Sequence, residues 1–221
     1  MRRDVGERRI GHELMDEADP AVARVCLGDL VRINRNFGGH AIVLKLLARA
    51  GCIGESFSFL DVGAASGDLA RVIKAAFPAS SIVCLDQNAV NLESAPSPKI
   101  LADAFRLPFA PRSFDYVFSS LFLHHFDDEQ IVYLLRHFAE IAGKGVLISD
   151  LERHIVPYVF LPATRWLFGW HRMAVHDGKI SVRAALTAAE LASLAKRAGL
   201  RFVDVVAHRP AFRLSLLGRV S

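Results

Sequence analysis

The sequence predicts an α/β fold, a doubly wound and mostly parallel sheet with helices on both faces, and three observations predict it. From Phe57 onward, short apolar runs alternate with helix-length stretches, the order in which helical crossovers join parallel strands. The runs are apolar throughout rather than alternating with polar residues, as strands covered on both faces must be. Their carboxyl ends fall at Gly63, Asp86, Asp103, Ser119 and Asp150, and open sheets of this kind bind ligands beyond those ends.

Taken in order, Arg3 to Ala50 reads as helical. Glu13 to Asp16 opens one segment and Asp19-Pro20 resets it, proline suiting a first helical position; Val22, Val25, Leu27, Leu30 and Ile33 then recur at helical spacing. Gly38-Gly39 breaks that pattern, and Ala41 to Arg49 forms a further helix ending near Gly51. The strands follow at Ser58 to Val62, Ser81 to Leu85, Lys99 to Ala102, Phe114 to Ser119 and Gly145 to Ser149, with helices over Asp68 to Ala76 and Asp128 to Ala142. Ile155 to Trp170 is apolar and aromatic but carries Pro157, Pro162 and Arg165, too short and broken to span a bilayer. It reads as a lid on the site, with core packing and a membrane-surface helix as alternatives. Thr187 and Glu190 stand at capping-box spacing ahead of a helix to Ala198, and a late strand runs from Arg201 to Ala207. One domain over 1–221 is expected, divided into a helical cap (1–55), a core (56–150), a lid (151–186) and a closing helix and strands (187–221).

Composition narrows the class. At 52% hydrophobic and 23% charged residues, the chain has the content of a globular protein and not of a disordered one. Cys26, Cys52 and Cys84 are odd in number, far apart and in apolar surroundings, which reads as core thiols in a reducing compartment. Met1 to Arg9 is charge-rich with no apolar stretch behind it, so no leader is expected and the cytoplasm is the expected location. Leu151 to Ser221 holds 11 basic against 4 acidic residues, scattered singly, as on a solvated surface.

The stretch Phe59 to Asp68 runs a buried strand into a glycine-bracketed turn, and Asp86 closes the next strand. This is the layout of a nucleoside pocket, in which the acid accepts ribose hydroxyls. A dinucleotide fingerprint would place glycine at positions 63, 65 and 68; the chain has Gly63, Ala65 and Asp68, and an aspartate there repels a pyrophosphate. A nicotinamide-dependent oxidoreductase is therefore disfavoured. Asp61 and Asp68 suit a cationic, phosphate-free ligand instead.

On these residues, Phe57 to Asp150 resembles the class I S-adenosylmethionine-dependent methyltransferases, in the small-molecule group similar to the ubiquinone and menaquinone methyltransferases. The resemblance implies a seven-stranded Rossmann-like sheet, S-adenosyl-L-methionine as cofactor, and a set of binding residues. Asp61, Gly63, Ala65, Ser66 and Gly67 form the methionine-side turn, Asp86 and Gln87 meet ribose and adenine, Asp103 and the Ala104 amide meet the adenine edge, and Ser119 lies beneath the sulfonium. Ala65 departs from the family's usual glycine. For proton transfer the candidates are His124, His125 and His176, the last beside Asp177. Histidines and cysteines show no metal-ligand spacing beyond the adjacent pair, so no metal is expected. The expected acceptor is a hydrophobic small molecule, phenolic or polyketide-like, methylated on oxygen. Carbon methylation of a quinone-type substrate and a non-catalytic nucleoside-binding partner protein remain the alternatives. Nucleic acid is disfavoured as an acceptor because Ser119 to Phe122 replaces the N-P-P-Y-like run of amino-methylating enzymes. Contact with a membrane surface and the oligomeric state stay open.

Overall fold

The computed structural model describes residues 6–14 and 18–220. Its centre is a seven-stranded sheet in the order β3-β2-β1-β4-β5-β7-β6. Strands β1 (Ser58–Val62), β2 (Ser81–Asp86), β3 (Lys99–Leu101), β4 (Phe114–Ser120) and β5 (Ala142–Leu151) are parallel, while β7 (Arg213–Arg219) runs antiparallel between β5 and β6 (Arg201–His208). The chain reverses direction across the sheet beside β1, where β1 is flanked by β2 and β4, and that switch point opens the ligand crevice.

Local chemistry explains the elements that flank the crevice. Helix α1 (Pro20–Asn36) begins where expected: the Asp19 carboxylate accepts the Ala21 amide, and Pro20 occupies a position whose N–H would lack a partner. Gly38 then turns the chain into α2 (Gly39–Ala50). Helix α3 (Asp68–Ala76) follows β1, a short α4 (Ala89–Leu92) follows β2, and α5 (Asp128–Ile141) is fixed by an Asp127–Gln130 capping box. The expected Thr187–Glu190 box caps α8 (Ala188–Arg197). Two apolar layers sandwich the sheet. On one face Leu134, Leu135 and Phe138 of α5 pack with Leu191 and Leu194 of α8; on the other, Val43, Leu46 and Leu47 of α2 pack with Ile73 of α3. All three cysteines are buried, and burial pushes the Cys52 and Cys84 thiols up to about 11 and about 12.

Two expectations are corrected. Residues 6–13, expected within a helical stretch, are irregular; Leu14 is helical, and Met15 and Asp16 lie outside the described residues. Tertiary partners claim this segment's polar groups. The Arg8 guanidinium donates to Ala184 O at 2.8 Å, to Asp128 at 2.6 Å and to Phe126 O, and the Arg9 and Leu14 amides donate to Arg183 O and Asp177. The second correction concerns the lid, expected over the apolar stretch Ile155 to Trp170: it is two helices, α6 (Ile155–Phe168) and α7 (Arg172–Ala184), and His176-Asp177-Gly178 sits inside the second. The closing strands expected within 187–221 complete the expected seven, with β7 inserted between β5 and β6.

Candidate active site

The turn after β1 is shaped by its neighbours. A side chain at Gly63 would come within 2.7 Å of the Phe122 ring, and one at Gly67 within 2.5 Å of the Pro96 ring, with φ at +73° and +66°. Both sites exclude a Cβ. Ala65 also takes a positive φ, +46°, a strained choice for an L-residue. Its amide donates to Asp86 Oδ2 at 3.0 Å, and the Asn88 amide donates to Asp86 Oδ1 at 2.9 Å. Asn91 Nδ2 also reaches Oδ1, at 3.5 Å, so Asp86 ties the turn to the end of β2 and keeps a lone pair on Oδ2 for a ligand. Asp103 caps a short turn by accepting the Phe105 amide.

Asp61 is buried, and its Oδ2 has no hydrogen-bond partner among the described residues. Burial, and then the nearby Asp68 and Asp86, push its carboxyl up to about 8. Asp68 faces His40, with Oδ2 2.8 Å from Nε2. A second buried group without a full set of partners is Arg213, at the start of β7. Its Nη2 donates to Asn34 Oδ1 at 2.8 Å, its Nη1 has no acceptor among the described residues, and burial lowers its pKa to about 10.

Beyond β4, the two adjacent histidines stand in opposite charge states. His124 donates from Nδ1 to Asp150 Oδ1 at 2.7 Å, and its Nε2 lies 3.7 Å from Glu13 Oε1. Burial alone would lower its pKa, but Asp150 and then Glu13 outweigh it and raise the ring to about 9. Both carboxylates are held below their usual range, despite burial, by the same histidine. Ser181 donates a short hydrogen bond to Glu13. His125 is pushed down to about 4 by burial and by the charged His124 beside it. An imidazolium and a neutral imidazole therefore stand side by side near neutral pH. Donor atoms of Glu13, His124 and His125 lie within 4.8 Å of one another. The two rings stack, with centroids 4.3 Å apart and planes at 30°, so their in-plane lone pairs run alongside each other instead of converging on one ion.

One cavity of about 830 Å³ joins these groups. Asp61, Gly63, Ala65, Ser66, Asp86, Gln87, Asp103 and Ala104 line one part, and His124, His125, Glu13 and Arg213 line the other. Phe37, Phe122, Phe160 and Leu161 supply apolar wall. Three expected residues stand outside it. Gly67 backs the turn against Pro96, Ser119 is buried within β4 while Ser120 faces the cavity, and the His176 side chain is 54% exposed on α7, with Nδ1 3.1 Å from Asp177. Sequence reasoning missed Glu13, Asn34 and Arg213, which neither motif nor spacing marks. Asp150 ends a strand as Asp86 does, and that pattern was its signal.

Residues 60–145 match the family model of a methyltransferase domain. That match covers the strands whose tips open on the crevice, and the fold around it is that of S-adenosylmethionine-dependent methyltransferases. Solved methyltransferases share the domain's fold at low sequence identity. One from Aquifex aeolicus is 16% identical with a TM-score of 0.65, over 92% of this chain and 100% of that one. A putative O-methyltransferase from Nostoc punctiforme is 19% identical with a TM-score of 0.61, over 82% of this chain and 56% of that one. Human N-acetylserotonin methyltransferase, solved with its cofactor, is 17% identical with a TM-score of 0.56, over 86% and 58%. The chain thus spans a little over half the length of the Nostoc and human proteins. No curated protein matches it in sequence.

The residues of the site fit S-adenosylmethionine on the orphaned groups described above. Asp61, a buried carboxyl whose Oδ2 has no partner among the described residues and which an ammonium would hold ionised, and Arg213, a buried guanidinium whose Nη1 has none, are the complements of an amino acid's ammonium and carboxylate. The turn admits a ligand against its backbone because Gly63 carries no side chain.

Proposed function

We propose that this chain methylates a hydrophobic, phenolic or polyketide-like small molecule on oxygen, acting as one domain with the segment 151–186 as lid. The observation that carries the reading is the single cavity in which the Asp61–Asp86–Asp103 side and the His124–His125 pair face common space. Bound there, S-adenosylmethionine supplies an activated methyl group and leaves as a neutral thioether. Asp86 holds the ribose hydroxyls, Asp103 and the Ala104 amide the adenine edge, Asp61 the methionyl ammonium and Arg213 the methionyl carboxylate.

The protein's remaining work is alignment, exclusion of water and handling of one proton. The charged His124 favours a phenolate beside it. His125, neutral, accepts the phenolic proton as oxygen bonds to the methyl carbon and the carbon–sulfur bond breaks. The aromatic and aliphatic wall suits an apolar acceptor.

The test has two parts. S-adenosylhomocysteine should bind one-to-one by calorimetry, and Asp86→Ala should weaken it by more than about tenfold, as expected for loss of two charged hydrogen-bond sites. Turnover with a panel of phenols should then appear only in the presence of cofactor. Binding without turnover on any phenol or quinone would favour the nucleoside-binding partner; absence of binding would overturn the cofactor site itself.

A further inference from the structure

Helix α6 has two apolar faces, and the cavity uses only one. Pro157, Phe160 and Leu161 look inward. Val159, Pro162, Ala163, Trp166 and Leu167 recur at three- and four-residue spacing on the other side, and all are exposed, Trp166 by 84% and Leu167 by 62%. Val156 belongs to both, exposed at 45% and lining the cavity mouth. Scattered surface hydrophobics are ordinary, but an unbroken row of this kind marks a contact surface.

The exposed charge on the row is basic. Arg165 and Arg172 are exposed on and just beyond the helix, and Arg32, paired with the buried Asp29 at 3.0 Å, reaches its end, donating to Phe168 O at 3.0 Å with its guanidinium 5.0 Å from the Trp170 ring centroid. No aspartate or glutamate occurs between Glu152 and Asp177. The row's one side-chain hydrogen-bonding group is the Trp166 indole N–H, which suits a bilayer interface, whereas protein interfaces make about one hydrogen bond per 100–200 Å². No helix among the described residues is long and apolar enough to cross a membrane, so α6 can lie on a bilayer but not through it.

We propose that the outer face of α6 docks on an anionic lipid bilayer, lying in the interface plane with Trp166 and Leu167 in the acyl boundary and Arg165 and Arg172 among the headgroups. Docking there sets the cavity mouth at Val156 against the membrane, so that a lipophilic acceptor passes along α6 without crossing water. That last step rests on the methyl-transfer function proposed above; the docking does not.

The chain's two tryptophans make the test direct. Trp166 is exposed and Trp170 is only 3% exposed, so a change in emission on docking reports Trp166. The full chain is mixed with vesicles of phosphatidylcholine alone or with phosphatidylglycerol added, and followed by fluorescence and co-sedimentation. The expected result is a blue shift and sedimentation with the anionic vesicles, both weakened by salt, with quenching by brominated lipid. A Trp166→Ser, Leu167→Ser double variant should lose at least about tenfold in partitioning, since two buried apolar side chains are removed, while its S-adenosylhomocysteine affinity stays unchanged. Trp166→Phe should still bind but lose the blue shift.

No sedimentation with anionic vesicles, or binding that survives the double variant, overturns the proposal. So does concentration-dependent self-association that the double variant abolishes while vesicles remain unbound, which would assign the row to a second copy. None of these readouts needs turnover, so failure of methyl transfer and failure of docking are told apart.

Discussion

Replacing Asp150 by asparagine tests the electrostatics of the histidine pair. Asp150 is the largest influence holding His124 charged, and the asparagine amide oxygen can still accept from His124 Nδ1 and the Leu151 amide, so the fold should survive. A histidine raised from 6.5 to about 9 stabilises the folded state fully below pH 6.5 and loses that contribution as pH rises through 9. At about 1.4 kcal/mol per pH unit, the interval amounts to about 3 kcal/mol in this buried setting. The same attraction lowers the Asp150 pKa and is counted once. Asp61 also titrates near 8, but in both proteins, so the difference between them isolates His124. Denaturant unfolding from pH 6 to 10 should show wild type losing about 3 kcal/mol more than Asp150→Asn across the window from 6.5 to 9. Carbon-detected titration should place the His124 ring well below 9 in the variant. Parallel stability curves, or a His124 that remains charged without Asp150, would refute the reasoning.

Other outcomes follow from the same geometry. Affinity for S-adenosylhomocysteine should rise by up to about tenfold per pH unit on approach to pH 8 and then level off, because the ligand's ammonium favours the Asp61 carboxylate; calorimetry on Asp61→Asn should find that slope gone. Ala65→Gly relieves a positive φ worth about 1–2 kcal/mol against about 0.5–1 kcal/mol of added chain entropy, so thermal unfolding should show no loss and up to about 1 kcal/mol of gain. His125→Asn should lower kcat by about 10²–10⁴ with S-adenosylhomocysteine affinity within about threefold of wild type; an unchanged kcat would remove His125 from proton transfer.

Local signals announced the parts of this protein that local chemistry builds. Asp19-Pro20, the Thr187–Glu190 box and the apolar runs of β1 and β2 each specify their element within a few residues, and their boundaries follow closely. The carboxylates at the strand tips were legible because a parallel sheet brings successive tips to one edge. What the sequence did not disclose depends on contacts far apart in the chain. Glu13 meets His124, and Arg213 meets Asn34, through packing that no periodicity encodes. Helix α7 went unread because Gly178 and two histidines are weak helix formers; the buried Val175, Asp177 and Ser181 on one face show packing overriding that propensity. Strand β7 follows so soon after β6 that its pairing with β5 is visible only in space.

The N-terminal strap gives the molecule a division of labour. Arg8 pins it to the loop before α5 and to the end of α7, and Glu13 is delivered to His124 as a result. A substitution that loosens the Arg8 anchors would therefore be felt at the histidine pair, through Glu13.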